Sequence, residues 1–427
     1  MTHTHFSLEN ARARDAADPL RSYRSAFYAS DENLVYLDGN SLGRLPLNTS
    51  RLMSQHVEDA WGRGLIRSWN ESWIDLPSHL ASKLAQLLGA SSNEVLFCDA
   101  TSLNLYKLAH AAMQVQAPRQ EIVTDALNFP SDLYILQGVL DHFSGAPALK
   151  IAVSENDIDV SVSKIKAILT HETALLSLSL VTYKSAYLHP LKELTEAAHE
   201  VGAMVLWDLS HAAGAVEIDL HDAQVDLAVG CSYKYLNGGP GAPAFLFVRE
   251  DLQSRLTSPI NGWFGDARPF DFDSEYMPAP GIQRFSVGTP PILSMAAIEP
   301  GLDMILDAGL PAIRQKSLML QSYLLELIEN RLDLMGFTLG SPLDAQRRGS
   351  HIALRHPDAG RICQALINPP AGRPTVIPDF RAPDSIRLGI APLYVSFEDL
   401  WVTVGRLSEI MSNKEYLIFS DQPGGVT

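Results

Sequence analysis

Between residues 94 and 248 short apolar runs alternate with segments of helical periodicity, and that alternation limits the chain to few architectures. The runs at 94–98, 121–124, 149–153 and 175–181 read as strands, as do 203–207, 226–229 and 244–248. Helices are expected over 101–115, 131–143 and 191–201, the last opened by Pro190. Apolar strands separated by helices belong to an α/β fold with a mostly parallel, doubly wound sheet covered on both faces. After about Pro291 the pattern changes. A long amphipathic helix is expected over 310–335, with Ile313, Leu320, Leu324, Leu327 and Ile328 at helical spacing. A strand (351–354), a helix (360–367), a strand (385–388) and a last helix (397–411) follow, which reads as a smaller α+β domain. The expected division is a large α/β domain over 76–295 and a small domain over 296–427. Residues 1–75 form an N-terminal segment joining the small domain, and 421–427 read as a frayed tail.

Composition narrows the function. A net charge of −16 over 427 residues repels phosphate backbones and anionic membranes, so neither nucleic acid nor a lipid surface is an expected partner. The three cysteines, Cys98, Cys231 and Cys363, form no CxxC pair, which argues against a disulfide framework or zinc site and suits a reducing cytoplasm. Residues 1–10 are polar, so no secretory signal is expected, and no apolar run is long enough to span a membrane.

In an open α/β sheet, ligands bind beyond the carboxyl ends of the strands. The run 203–207 ends in Asp208, where a carboxylate can keep the ring nitrogen of pyridoxal phosphate protonated. Alone, such an Asp is more often a helix cap. Beyond the next strand comes Ser232-Tyr233-Lys234-Tyr235-Leu236-Asn237-Gly238-Gly239, where Lys234 can reach a cofactor aldehyde; alone, it is more often a solvated loop lysine. Together the two are far less expected by chance. Thr101-Ser102 opens a helix whose N-terminus suits a phosphate, or else is a simple N-cap. Asn128-Phe129-Pro130-Ser131-Asp132 follows another strand, with Phe129 either stacked on a ring or merely packed in the core. No GxGxxG follows a strand, and neither GxxxxGK[ST] nor HExxH occurs, so dinucleotide, P-loop and zincin chemistry lack support and no metal is expected.

These segments, with Asp38-Gly39-Asn40-Ser41-Leu42-Gly43, Asp208-Leu209-Ser210-His211, Gly262-Trp263-Phe264-Gly265 and Pro290-Pro291-Ile292-Leu293, resemble the kynureninase family of fold-type I pyridoxal-phosphate enzymes from about Tyr23 to Met411. The resemblance implies hydrolytic Cβ–Cγ cleavage of L-kynurenine to anthranilate and L-alanine, a step of tryptophan catabolism. It implies pyridoxal phosphate bound covalently to Lys234, with Asp208 on the ring nitrogen, Phe129 on the ring face and Tyr233 as proton relay. Thr101, Ser102 and Tyr233 would hold the phosphate, and Pro130, Ser131, Asp132, Ser179 and His211 would line the cofactor. Arg387, with Asn40, would bind the substrate, the guanidinium taking its α-carboxylate. Trp263 and Thr289 match positions that reach the phosphate across the interface of a homodimer. Thr289 stands where other branches of the family carry Asn, which bears on whether kynurenine or its 3-hydroxy form is preferred. The match is loosest over 69–76 and 340–349.

Other readings share the fold. A cysteine desulfurase needs a nucleophilic thiolate on a loop, whereas Cys363 reads as helical. Fold alone does not exclude an aminotransferase. A non-catalytic cofactor-binding regulator would dispense with Lys234, Asp208 or Arg387, and all three are present.

Overall fold

The computed structural model describes residues 6–420 except 30 and 32, so the expected tail at 421–427 lies outside the described residues. The chain begins with α1 (Leu8–Ala17), β1 (Leu34–Tyr36), α2 (Leu47–Gln55) and α3 (Leu76–Leu88), which the apolar periodicity does not single out. Next come β2 (Val95–Phe97), α4 (Thr101–Val115), β3 (Glu121–Asp125), α5 (Pro130–Leu140), β4 (Ala148–Ala152) and α6 (Val162–Ile168). They continue with β5 (Thr173–Ser179), α7 (Leu191–Glu200), β6 (Met204–Asp208), β7 (Leu227–Gly230) and β8 (Phe245–Val248). The remainder holds α8 (Glu250–Gln253), α9 (Ile292–Ala296), α10 (Glu299–Ala308), α11 (Leu310–Arg331), β9 (Thr338–Leu339) and β10 (His351–Arg355). It ends with α12 (Ala359–Ile367), β11 (Thr375–Ile377), β12 (Asp379–Arg381), β13 (Ser385–Gly389) and α13 (Phe397–Asn413).

The large sheet has seven strands in the order β2-β8-β7-β6-β5-β3-β4. β8 runs antiparallel to both its neighbours, and the other strands of the row share one direction. The reversal has a local cause. A parallel partner for β7 needs a crossover helix, and residues 231–244 between β7 and β8 form turns that carry the Lys234 loop instead. Side chains alternate between the two faces as the strand period requires. Along β6, Met204 and Leu206 join the core built with α4 and α5, whereas Val205 and Trp207 join the core that includes α3 and α7.

Three elements differ in extent from the periodicity. α5 stops at Leu140 because His142 and Phe143 bond back to Val139 and Leu140, tightening the last turn. α11 ends at Arg331, short of the expected 335, where Leu334 (φ 65°) and Gly336 (φ 84°) turn the backbone left-handed. β5 lies nearer the N-terminus than 175–181, since Val181 leaves the sheet to form a bridge with Leu188.

The small sheet is antiparallel in the order β12-β13-β10-β9. α1 packs on α13, β1 pairs in parallel with β11, and α3 packs on β2 and α10, so the first elements of the chain touch both sheets' surroundings. A buried ion pair fastens the start of the chain: Lys316 Nζ lies 2.6 Å from Asp18 Oδ2 and also donates to the Pro392 carbonyl oxygen. Removing one partner strands the other charge out of water. Asp18→Ala and Lys316→Met are each expected to cost about 3–5 kcal/mol, read as a lower urea midpoint, and the double variant should cost less than the sum of the two because it leaves no buried charge unpaired.

Candidate active site

The strands of the large sheet deliver their polar residues at one edge. Asp208 ends β6, Ser179 stands opposite it in β5, and Val229 of β7 flanks it on the other side. Beyond this edge is a pocket whose floor and walls include Asp208, His211, Tyr233 and Lys234. The lining continues with Thr101, Ser102 and Ser131 on one side and Asn40, Ser41, Arg381 and Arg387 on another, with Asp132 beside Asp208 and the rings of Phe129 and Tyr183 meeting between the two sides. Most of the expected site residues therefore meet in one cavity.

On the first side two helices start next to each other. α4 is preceded by Ala100, which offers no side-chain cap, so Thr101 and Ser102 are the first helical residues rather than N-caps. Pro130 is the first residue of α5, and Ser131 Oγ lies 3.0 Å from Ser102 Oγ. Two helix N-termini and their hydroxyls thus converge, an arrangement that attracts an anion.

In the middle, Lys234 Nζ lies 2.9 Å from His211 Nε2. Burial first, and the Lys234 charge second, hold the His211 imidazole well below its usual pKa, so it is neutral and able to accept the ammonium's hydrogen. The Asp208 Oδ1 atom accepts the Ser210 N–H at 2.8 Å. Asp132 lies against it, and burial, then the Asp208 charge, push the Asp132 carboxyl well above the usual carboxylate range. The pair therefore calls for one further hydrogen donor. Cys231 beside it, and burial, hold the Tyr233 phenol well above its usual pKa, which makes it a proton donor at neutral pH. The Lys234 loop is braced by the turn Asn40-Ser41-Leu42-Gly43. Gly43 N–H donates to the Tyr233 carbonyl oxygen at 2.8 Å, and a Cβ on Gly43 would lie 2.3 Å from the Lys234 carbonyl oxygen, so only glycine permits this approach.

On the other side Arg387 of β13 is buried and faces Asp379 across the β12–β13 ladder. Its guanidinium donates to Asp379, to the Tyr183 carbonyl oxygen and, at 3.0 Å, to Ser41 Oγ. Asn40 is fully buried beside it. Asp38 completes the cluster, its carboxyl pushed up to about 6 by burial first and the Asp379 charge second.

Four expected site residues lie elsewhere. Pro130 starts α5 without lining the pocket. Ser179 sits beneath the floor, donating to Asn128 Oδ1 at 2.6 Å. Trp263 is 43% exposed, and Thr289 lines a second pocket with Trp69 and Phe264, so neither reaches the first pocket within a single chain. The pocket also contains residues that sequence reading assigned no role. Ser41 lay within a quoted motif. Tyr183 and Arg381 carried no signal at all, because loop and edge-strand placement brings them there. Among the described residues, no group of acidic, His or Cys side chains is arranged to hold a metal ion.

Comparisons with known proteins bear on the family of the chain. Residues 313–407 match the family model for the kynureninase C-terminal domain. Kynureninase of Pseudomonas fluorescens is 41% identical over 409 residues, covering 95% of both chains, and that of Burkholderia pseudomallei is 40% identical over 413 residues, covering 96% of both. Among solved structures, a cysteine desulfurase from Thermococcus onnurineus superposes with a TM-score of 0.77 at 18% identity, covering 92% of this chain and 98% of its own. A C-DES variant with glycine covalently linked to its pyridoxal-phosphate cofactor superposes at 0.76 and 17% identity, covering 88% and 97%. These two likenesses show the fold alone.

His211 in the pocket and His351, their ring centroids 5.8 Å apart, carry a pH signature. His211 and His351 are both fully buried with depressed pKa, burial being the first cause in each, and they are protonated more readily in the unfolded chain. Their contribution to stability is therefore complete above the unfolded histidine pKa and is lost as pH falls below it, at up to about 1.4 kcal/mol per pH unit for each group. The unfolding midpoint should fall between pH 7 and 5, and His351→Phe should make that decline shallower; an unchanged slope would show that His351 is protonated inside the fold. With identity near 40% along almost the whole length of its curated relatives, this chain belongs to the kynureninase family.

Proposed function

We infer that this chain is a pyridoxal-phosphate enzyme that hydrolyses L-kynurenine to anthranilate and L-alanine. The observation that carries the reading is the single pocket that sets Lys234 and Asp208 together with a phosphate-suited side and a carboxylate-suited side. The donor set fits the cofactor. Two helix N-termini with the hydroxyls of Thr101, Ser102 and Ser131 suit its phosphate. The Lys234 amine suits its aldehyde, and the Asp208–Asp132 pair accepts the donor that a protonated ring nitrogen provides. When bound, pyridoxal phosphate supplies an electron sink for the substrate carbons.

The protein's own groups do the rest. Arg387 and Asn40 bind the α-carboxylate and fix the substrate's orientation. Lys234, which would hold the cofactor, is also the group placed to move the proton at the substrate α-carbon. The neutral His211 accepts a hydrogen bond from Lys234 and so aims it. Tyr233, protonated at neutral pH, hands a proton towards the departing β-carbon. In sum, water contributes hydroxyl to the γ-carbon and a proton to the β-carbon as the bond between them breaks. Phe129 lies across the mouth with Tyr183, their ring centroids 5.2 Å apart, and is placed to cover the cofactor ring.

A desulfurase would need an accessible thiolate. All three cysteines are buried, and burial pushes the Cys98 thiol up to about 12. Three unpaired thiols also favour the cytoplasm as the compartment, and among the described residues no helix is long and apolar enough to cross a membrane. We further infer a homodimer with shared sites, because Trp263 and Thr289 stand apart from their own chain's pocket.

Three measurements test these readings. Anthranilate release from L-kynurenine, followed by its ultraviolet absorbance, should occur with the pure holoenzyme and vanish in Lys234→Ala, with borohydride-fixed cofactor recovered on the Lys234 peptide alone. Mixing Lys234→Ala with the inactive Trp263, Thr289 double variant should restore part of the activity; none in proven hybrids would rule out shared sites. The single Thr289 hydroxyl leaves an added ring hydroxyl poorly satisfied, at roughly 1–3 kcal/mol. L-kynurenine should therefore exceed 3-hydroxykynurenine in kcat/KM by at least about tenfold, and Thr289→Asn should narrow that ratio.

A further inference from the structure

Two arginines, rather than one, hold Asp379. Arg387 is almost fully buried and directs its donors to Asp379, Tyr183 and Ser41. Asp379 is equally buried, so the Arg387–Asp379 pair has no net charge. Such a pair attracts an incoming anion weakly, because the ligand carboxylate meets the repulsion of Asp379 along with the pull of the guanidinium. Arg381 alters this balance. It lies two residues along β12, on the same face as Asp379, with its Nε 3.1 Å from the same Oδ2 atom that Arg387 engages. Unlike Arg387 it remains 37% exposed, and it lines the pocket beside Arg387 and Asn40. Its charge reaches the interior, where it is one of the positive groups that depress both His211 and His351. Arg381 adds a second positive charge to this cluster, offsetting the Asp379 and Asp38 carboxyls that would otherwise repel an incoming carboxylate.

We propose that Arg381 is a second substrate-binding arginine, whose guanidinium completes the α-carboxylate subsite with Arg387 and makes the enzyme select amino acids over the corresponding amines. The inference rests on the reading of this pocket as an amino-acid site. Arg387 sets the geometry of the carboxylate, and Arg381 supplies the attraction that Asp379 cancels. Since Arg381 is partly exposed and Asp379 keeps Arg387, Arg381 can swing to meet the ligand without leaving Asp379 unpaired.

The test uses the holoenzyme and the visible absorbance of its bound cofactor, which also reports whether each variant is loaded. Ligands are titrated in pairs that differ only in the carboxylate: L-kynurenine against kynuramine, and L-alanine against ethylamine. Arg381→Gln should weaken the carboxylate-bearing member at least about tenfold and leave the amine within about twofold. Arg381→Lys should recover part of the loss, and KM for L-kynurenine should rise more than kcat falls. If Arg381→Gln does not fold, Arg381→Lys gives the same reading through a loss of a few-fold confined to the carboxylate ligands. Equal weakening of acid and amine would show a structural role and overturn the proposal, as would no change in either. Should the wild-type enzyme fail to cleave L-kynurenine, the functional reading falls, and the alanine–ethylamine contrast still decides the role of Arg381.

Discussion

Asp132, Asp208, Asp379 and Arg387 are all buried around the pocket, and a buried polar or charged group persists only when a partner answers it. Lys234 faces a neutral imidazole, Asp132 faces Asp208, and Arg387 faces Asp379. The elements around the pocket exist in the positions that make these pairings. β12 and β13 are in the register that sets Asp379 against Arg387, and β5 and β6 in the one that sets Ser179 beside Asp208. Slipping either register by one residue would turn these side chains to the opposite face of their sheet and leave their partners alone. The site is therefore a constraint on the fold as much as a product of it.

That constraint explains what could be read from the sequence. The extent of α4 and the position of β6, which ends in Asp208, follow from apolar periodicity and from hydroxyl and carboxyl punctuation, both local properties. The grouping of Lys234 with Asp208 was legible because both sit just past strands of one sheet. Harder to read were α1, α2 and α3, whose ordering comes from packing on distant elements. α1 has weak periodicity and is fixed by α13, by Arg12 on Glu398 and by Arg14 over the Tyr323 ring. Arg381 was invisible for the same reason, since nothing near it in sequence distinguishes it from a solvated edge-strand arginine. Trp263 and Thr289 show a different limit: family motifs assign them to a cofactor site, while the chain that carries them keeps them away from its own.

The fold also separates architecture from chemistry. A cysteine desulfurase and a cystine C–S lyase, each below 20% identity, share most of the backbone course. In this chain Cys363 is buried in α12, and two arginines of the small sheet crowd one carboxylate. A shared scaffold of this kind fixes where a cofactor can sit and leaves the substrate's far end to be written separately.

Because Leu34 pairs with Thr375 and Ser41 meets Arg387, the beginning of the chain closes a cavity whose other wall is among the last parts to leave the ribosome. From β3 to β8 the large sheet can assemble from strands near one another in sequence, while β2 waits for β8. The arginine side of the pocket cannot. Until β11 to β13 exist, the turn bearing Asn40 and Ser41 has no partner, and β1 is an unpaired edge exposed to other nascent chains. Synthesis order therefore makes the Lys234 side of the pocket available before the arginine side. A chain stalled or cut short near residue 300 would retain most of the first and none of the arginines that complete the second.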